Sequence, residues 1–176
     1  MGAPSALGAP AATGPLAPAN NVVLVHGAYA DGSCWADVIP HLQARGLNVA
    51  SVQNPLHTFE EDVEFAKRTL ALMDGPTVLV GHSYSGMIVT EAGVDPKVTA
   101  LVYVAARAPD AGEDYTALAS RFPTPPASAG LIKAADGYAQ LRRRSCGTSR
   151  KMSTRRGPKR CTPCRAAYQV SCSAGR

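Results

Sequence analysis

The sequence predicts an α/β fold in which a parallel sheet carries helices on both faces. Between residues 21 and 140, short β-branched runs alternate with segments whose apolar residues recur at helical spacing, and this alternation is typical of parallel sheets. Glycine-containing loops follow two of the predicted strands, at the strand ends where such sheets bind ligands. Apolar residues make up 45% of the 176 residues, which indicates a globular chain.

Composition divides the chain into three segments. Residues 1–20 are mostly Ala, Pro and Gly and predict a disordered leader without the basic and apolar regions of a complete signal peptide. As written, this leader slightly favours a cytoplasmic chain; an exported form stays open if the true start lies upstream. Residues 21–140 form the predicted domain. Residues 141–176 hold 11 of the 18 Lys and Arg, four of the five Cys and none of the 13 acidic residues.

The first half of the predicted domain contains two strands, each followed by a helix. The strands are NVVLVHG, from Asn21, and LNVASVQ, from Leu47. The first helix is SCWADVIPHLQARG, which Ser33 is predicted to cap, Pro40 to kink and Gly46 to end. The second is FEEDVEFAKRTLALMDG, with acids early, bases later and Gly75 as its stop.

The second half predicts a strand, a helix and a further strand. These are PTVLVGH, YSGMIVTEAG and VTALVYVAA. After Arg107 a Pro-rich stretch is more typical of a lid or linker than of a core layer. Residues 142–176 show no apolar periodicity, so we expect no packed core there. No run approaches 18 apolar residues, so no membrane span is predicted.

The segment Gly81-His82-Ser83-Tyr84-Ser85-Gly86 connects a predicted strand to a predicted helix. That setting is typical of a nucleophile elbow, a tight turn that holds a serine hydroxyl above the sheet. Small residues are needed beside the serine, and Gly81 and Gly86 provide them. The backbone N–H of Tyr84 would then point at a developing oxyanion.

The loop His26-Gly27-Ala28 follows the first strand and predicts a second oxyanion donor, the N–H of Ala28. We interpret His26, Gly27, Gly81, His82 and Gly86 as supporting residues of the elbow and the oxyanion loop. The other interpretation of Ser83 is an ordinary strand-to-helix turn of a doubly wound protein. No glycine-rich phosphate motif is present, so no cofactor is predicted.

Taken together, VVLVHGAYADGSCW, VQNPL, VLVGHSYSG and ALVYVAARAPDAGE resemble the α/β-hydrolase superfamily, in its small-esterase branch that includes hydroxynitrile lyases. The resemblance covers about residues 21–140. It implies a partial α/β-hydrolase fold, truncated before the C-terminal strands, and a Ser-acid-His triad with Ser83 as nucleophile. Ala28 and Tyr84 match the oxyanion donors. Ser85 stands where the family usually has Gly, and its hydroxyl would either simply fit the turn or touch a ligand.

The four histidines, at positions 26, 41, 57 and 82, all precede Ser83. The resemblance places the triad base and acid in later segments that have no counterpart here. His26 is expected to shape its turn, His82 to point away from the serine and His41 to be solvated, which leaves His57 alone as a candidate near the cleft. We therefore expect the chain as written to be a poor catalyst.

The basic tail has three further interpretations. The first is that its amino-acid composition is typical of a translation of GC-rich coding DNA in the wrong reading frame, with a shift near codons 141–144. The second is an interaction with nucleic acid or with an acidic membrane, although aromatic residues are not interleaved with the basic residues of the tail. A zinc site at Cys161-x-x-Cys164 is the third, but it lacks a second pair or a histidine. We predict no metal and no nucleic-acid partner.

The function predicted from these observations is acyl transfer from a small carboxylic ester to water through Ser83. The alternative is a non-catalytic chain: a truncated remnant or a binding module that uses the basic tail. Lyase chemistry, the oligomeric state and the substrate stay open.

Overall fold

A computed structural model of the chain describes residues 18–110, 113–134, 138–141 and 168–169. Its centre is a four-stranded sheet with strand order β2-β1-β3-β4, in which every neighbouring pair is parallel. The predicted parallel sheet is thereby confirmed. The strands are β1 (Asn21–Val25), β2 (Asn48–Val52), β3 (Thr77–His82) and β4 (Val98–Val104).

The first predicted helix is divided into two short elements, a 3-10 turn at Gly32–Trp35 and helix α1 at Ile39–Gln43. Pro40 lies in the first turn of α1, where its missing N–H leaves no helical bond unmade. The prediction of Ser33 as the cap is wrong. Asp31 caps the 3-10 turn instead, because its carboxylate accepts the Ser33 N–H at 2.8 Å.

The other two helices follow the predicted segments, as α2 (Phe59–Ala71) and α3 (Ser85–Ala92). Thr58 caps α2 by accepting the Glu61 N–H at 3.1 Å. Gly75, at φ 88°, lies beyond the actual end of α2 at Ala71.

Alternate residues of the strands point into two separate apolar clusters, as the pleat of a sheet requires. On one face Val23, Val25 and Leu79 pack with residues of α2 and α3, among them Leu70 and Ile88. On the other face Val22, Leu24 and Val80 pack with Trp35 and are flanked by residues of α1. Helices thus cover both faces of the sheet, as predicted.

The Pro-rich stretch after β4 contains helix α4 (Tyr115–Ser120) and a 3-10 turn at Pro126–Gly130. A second, antiparallel sheet follows, made of β5 (Leu131–Lys133), β6 (Tyr138–Leu141) and β7 (Tyr168–Gln169). These strands were not predicted. Apart from the pair Tyr168–Gln169, which belongs to β7, the predicted coreless tail lies outside the described residues, as does the leader up to residue 17. Within the described part of the chain, no helix is long and apolar enough to cross a membrane.

Four non-glycine residues have positive φ in the described part of the chain, and each follows a strand of the parallel sheet. They are Tyr29 at 63°, Leu56 at 54°, Ser83 at 55° and Ala105 at 45°. Such conformations are uncommon for residues with a side chain. All four lie at the carboxyl edge of the sheet.

Candidate active site

Ser83 lies in the turn between β3, which ends at His82, and α3, which begins at Ser85. Its N–H donates to the Val104 carbonyl at 3.2 Å, and its own carbonyl accepts the Gly86 N–H at 3.1 Å. The turn is therefore tied to β4 on one side and to α3 on the other. The side chain is half-buried, and no residue in the described ranges forms a hydrogen bond with its hydroxyl.

The loop after β1 lies directly against this turn. A Cβ placed on the buried Gly27 would lie 2.9 Å from Nδ1 of His82, 3.0 Å from its carbonyl oxygen and 3.0 Å from Cβ of Ser83. Only a residue without a side chain fits there. Ala28, the predicted oxyanion donor, is the next residue, so its backbone belongs to the loop that touches the Ser83 turn.

The remaining glycines of the motif are also positions of close approach. A Cβ on Gly81 would lie 2.6 Å from the Ser85 carbonyl oxygen, and one on Gly86 would collide with the Arg107 carbonyl. Both keep α3 close to the strands beside it. Tyr84 is the N-cap residue of α3.

His26 belongs to a buried hydrogen-bond network with Asn54 and Ser85. Nε2 of His26 accepts the Asn54 N–H at 2.9 Å, and Nδ1 lies 3.0 Å from the Gly27 carbonyl oxygen. Because the amide can only donate and the carbonyl can only accept, the ring is neutral with its proton on Nδ1. Burial lowers the pKa of His26 below its usual value, which agrees with a neutral ring.

Ser85 is fully buried, and its hydroxyl donates to the His26 carbonyl. Asn54 donates from Nδ2 to the same carbonyl at 3.1 Å and to the Ser85 hydroxyl at 3.4 Å. The ligand-touching interpretation of Ser85 is therefore wrong, because its hydroxyl faces the interior. Asn54 was missed by the sequence reasoning, since nothing in VQNPL marks its amide as buried.

In the described part of the chain, the other three histidines form no hydrogen bond with the Ser83 hydroxyl. His82 lies edge-on to Trp35, with ring centroids 6.3 Å apart, and burial lowers its pKa. His41 is exposed on α1, as predicted. His57 is 56% exposed and contacts Glu61 through Nδ1 at 3.0 Å.

Asp62 is a polar residue of this edge that the sequence reasoning missed. It is fully buried on α2, and its carboxylate accepts the Leu56 N–H at 2.8 Å and the Tyr84 hydroxyl at 3.0 Å. Burial raises its pKa, and the two hydrogen bonds oppose that rise. In the sequence Asp62 is one of three acids in the first turn of a helix, where an acid is ordinarily exposed and favoured by the helix dipole.

An apolar cavity of about 370 Å³ lies where the chain leaves β4. Its walls include Ala106 and Arg107, the residues that a side chain at Gly86 would meet. Gly86, in the first turn of α3, thus contacts two residues of the cavity wall, whereas Ser83, Tyr84 and Ala28 are not among the lining residues. It is lined by Ala106, Arg107, Ala108, Leu118 and Phe122.

Comparison with known sequences gives one family and two curated relatives. The family model described as the alpha/beta hydrolase family matches residues 22–171, which extends past residue 140, where the resemblance was expected to end. A carbendazim hydrolyzing esterase of Nocardioides sp. (strain SG-4G) is 32% identical over 126 residues, which cover 64% of this chain and 52% of the relative. A pyrethroid hydrolase of Sphingobium wenxiniae is 31% identical over 99 residues, 49% of this chain and 35% of that protein. The chain thus spans about half or less of the curated relatives it matches.

Solved structures show the same fold. A pyrethroid hydrolase from Sphingobium faniae JZ-2 superposes with a TM-score of 0.61 at 24% identity, over 76% of this chain and 60% of the other. Polyneuridine aldehyde esterase superposes with a TM-score of 0.61 at 22% identity, over 74% and 61% of the two chains. At these identities the likeness concerns the fold alone.

Proposed function

Because this chain belongs to the α/β-hydrolase family, in its esterase-like branch, we propose that Ser83 is the nucleophile of a site for small carboxylic esters. The observation that supports this most directly is the conformation of Ser83. It is a positive-φ residue between a strand and a helix, and the Gly27 loop lies against it. That is the arrangement of a nucleophile elbow.

In the proposed reaction, Oγ of Ser83 attacks the ester carbonyl carbon and the hydroxyl proton passes to a base. The amides of Ala28 and Tyr84 hold the carbonyl oxygen while it carries negative charge. The tetrahedral intermediate then expels the alcohol, which takes up a proton. Water attacks the acyl-serine in the same manner and releases the acid.

The substrate class rests on the relatives and on the cavity. The two curated relatives are named for hydrolysing carbendazim and pyrethroids. The cavity where the chain leaves β4 is lined by the apolar residues Ala106, Leu118 and Phe122 as well as by Arg107, and its volume of about 370 Å³ suits a small molecule. An ester with an apolar acyl or alkoxy group fits these walls.

We expect the 176-residue chain itself to turn over slowly. Both ring nitrogens of His26 are occupied, His82 lies against Trp35, and His57 is paired with Glu61. None of the four histidines bonds the Ser83 hydroxyl in the described part of the chain. Losing base and acid costs about 10⁶ in kcat, whereas the oxyanion hole alone retains roughly 10³–10⁴-fold over water.

The experiment compares p-nitrophenyl butyrate hydrolysis by the chain, its Ser83→Ala variant and a Ser33→Ala control, an exposed serine outside the Ser83 turn. A fourth protein, the restored protein, carries the single-base shift near codons 141–144 that the out-of-frame interpretation of the tail requires, and a fifth adds Ser83→Ala to it. We expect weak hydrolysis that Ser83→Ala abolishes and Ser33→Ala leaves intact, and strong hydrolysis by the restored protein only. Rapid Ser83-dependent turnover by the chain would disprove the missing base and direct attention to His57.

Restored protein that hydrolyses the ester equally well with and without Ser83 would disprove the nucleophile assignment. No hydrolysis by any of the five proteins would favour the non-catalytic alternative, a remnant or a binding module.

A further inference from the structure

Asp62 joins two turns that are far apart in the sequence. One oxygen of its carboxylate accepts the N–H of Leu56, in the loop after β2, at 2.8 Å. The other accepts the hydroxyl of Tyr84, the residue after Ser83, at 3.0 Å. Leu56 and Ser83 are both positive-φ residues, at 54° and 55°. The buried carboxylate thus links the loop after β2 to the turn that contains Ser83.

Stabilisation of the helix N-terminus does not explain why the Asp62 carboxylate is buried. An acid that only favours the helix N-terminus can remain in water, as Glu60 does. The cap of α2 is provided by Thr58, and Glu61 is turned to His57. Asp62 is fully buried, which costs free energy unless the group is well bonded, and both of its bonds lead out of the helix to the turns.

Tyr84 is suited to receive this support. Its ring is partly buried and packs on the cluster formed by α2, α3 and the sheet. Its hydroxyl reaches Asp62, and its backbone N–H follows Ser83 directly. Fixing the ring therefore fixes the peptide that the proposed function uses as an oxyanion donor.

We infer that Asp62 is a positioning residue of the Ser83 site, which orients the Tyr84 amide through the Tyr84 hydroxyl. The inference rests on the proposed function. Asp62 touches no reacting atom in this scheme. Its effect reaches the reaction through the orientation of one peptide group.

The test measures the rate at which a p-nitrophenyl alkylphosphonate modifies Ser83 in the 176-residue chain. The bond from Oγ to phosphorus forms, the bond from phosphorus to the nitrophenolate oxygen breaks, and the serine proton goes to solvent. Released nitrophenolate gives the rate, and mass spectrometry locates the adduct. The negative phosphoryl oxygen occupies the position of the ester oxyanion.

Two variants remove the link and one retains it. Tyr84→Phe and Asp62→Ala are each expected to slow the modification about tenfold, a fraction of the loss for a deleted oxyanion donor. Asp62→Asn should keep the wild-type rate, because the asparagine side-chain oxygen still accepts the Leu56 N–H and its NH₂ group can donate to the Tyr84 hydroxyl. The double variant Asp62→Ala/Tyr84→Phe should be no slower than either single one, as expected for one pathway.

The matched control is Tyr103→Phe, which removes another half-buried tyrosine hydroxyl, bonded to Thr90 at 2.8 Å. It should leave the rate unchanged. If it slows the modification as much as Tyr84→Phe does, or if Tyr84→Phe has no effect, the inference is wrong. Tyr84→Phe keeps the test valid even if Asp62→Ala does not fold.

A readout independent of serine chemistry separates this inference from the proposed function. The ¹⁵N–¹H resonance of the Tyr84 amide should move in Asp62→Ala and stay near its wild-type position in Asp62→Asn. If the Tyr84 amide resonance stays in place in both variants, the inference is wrong, whether or not Ser83 is modified. An amide that responds as expected, in a chain whose Ser83 is never modified, supports the positioning and contradicts the nucleophile assignment.

Discussion

Replacing Gly27 with alanine should disturb the Ser83 turn more than it disturbs the fold. The new Cβ would lie 2.9 Å from Nδ1 of His82 and 3.0 Å from Cβ of Ser83. The His82 ring has little room to retreat, since it lies edge-on to Trp35 at 6.3 Å. The turn must therefore shift, and inserting a methyl group into such a contact costs about 1–3 kcal/mol of unfolding free energy.

Urea unfolding followed by the fluorescence of Trp35, the single tryptophan, measures this loss. Gly75→Ala is the matched control. Its Cβ meets nothing within 4 Å, but its φ of 88° makes alanine unfavourable by about 1–2 kcal/mol. Both variants should unfold at lower urea, while only Gly27→Ala should slow phosphonylation of Ser83. Unchanged stability and rate in Gly27→Ala would refute the close approach of the two loops.

Three further predictions concern stability in urea. Leu70→Ala, in the core, should lower the free energy of unfolding by about 2–5 kcal/mol, whereas Leu72→Ala, at a residue that is 79% exposed, should change it by no more than about 0.5 kcal/mol. Equal losses would contradict the assigned core. The pKa values of His26 and His82 are lowered by burial, so the unfolded chain binds more protons and stability should fall as pH drops below 6.5. Urea midpoints at pH 7.5 and 5.5 measure this loss of stability. A His82→Asn variant should show a smaller difference between the two midpoints, and a midpoint that rises on acidification would contradict the prediction. Thr58→Ala should cost about 0.5–2 kcal/mol through loss of the α2 cap, and an unchanged midpoint would argue against that cap.

The parts of the fold that follow from hydrophobic periodicity could be predicted from sequence. The four parallel strands and helices α2 and α3 match the predicted segments, because each has an apolar pattern of the right period. The sequence predicts one first helix, whereas the structure has a 3-10 turn and then a new helix that begins at Ile39, next to Pro40. Strands β5 and β6 are three and four residues long, too short for a period to show.

For the candidate site, the sequence predicts the positions where backbone geometry requires a glycine, but it does not predict polar side chains that meet across the fold. Gly27, Gly81 and Gly86 are required by close approaches that the motif already implies. Asp62 and Asn54 are polar residues in ordinary contexts along the chain. Their roles depend in part on partners 22 to 31 positions away, such as Tyr84 and Ser85, and no local pattern encodes such a pairing.

Within the described part of the chain, the four left-handed non-glycine residues concentrate backbone strain at the carboxyl edge of the sheet. Conformations of this kind cost about 1–3 kcal/mol each, so four of them rival the net stability of a typical domain. The apolar clusters on the two faces of the sheet offset that cost. Anything that weakens those clusters should therefore let the edge relax before the sheet itself opens. Along a urea gradient, the reactivity of Ser83 should disappear at a lower concentration than the fluorescence signal of Trp35.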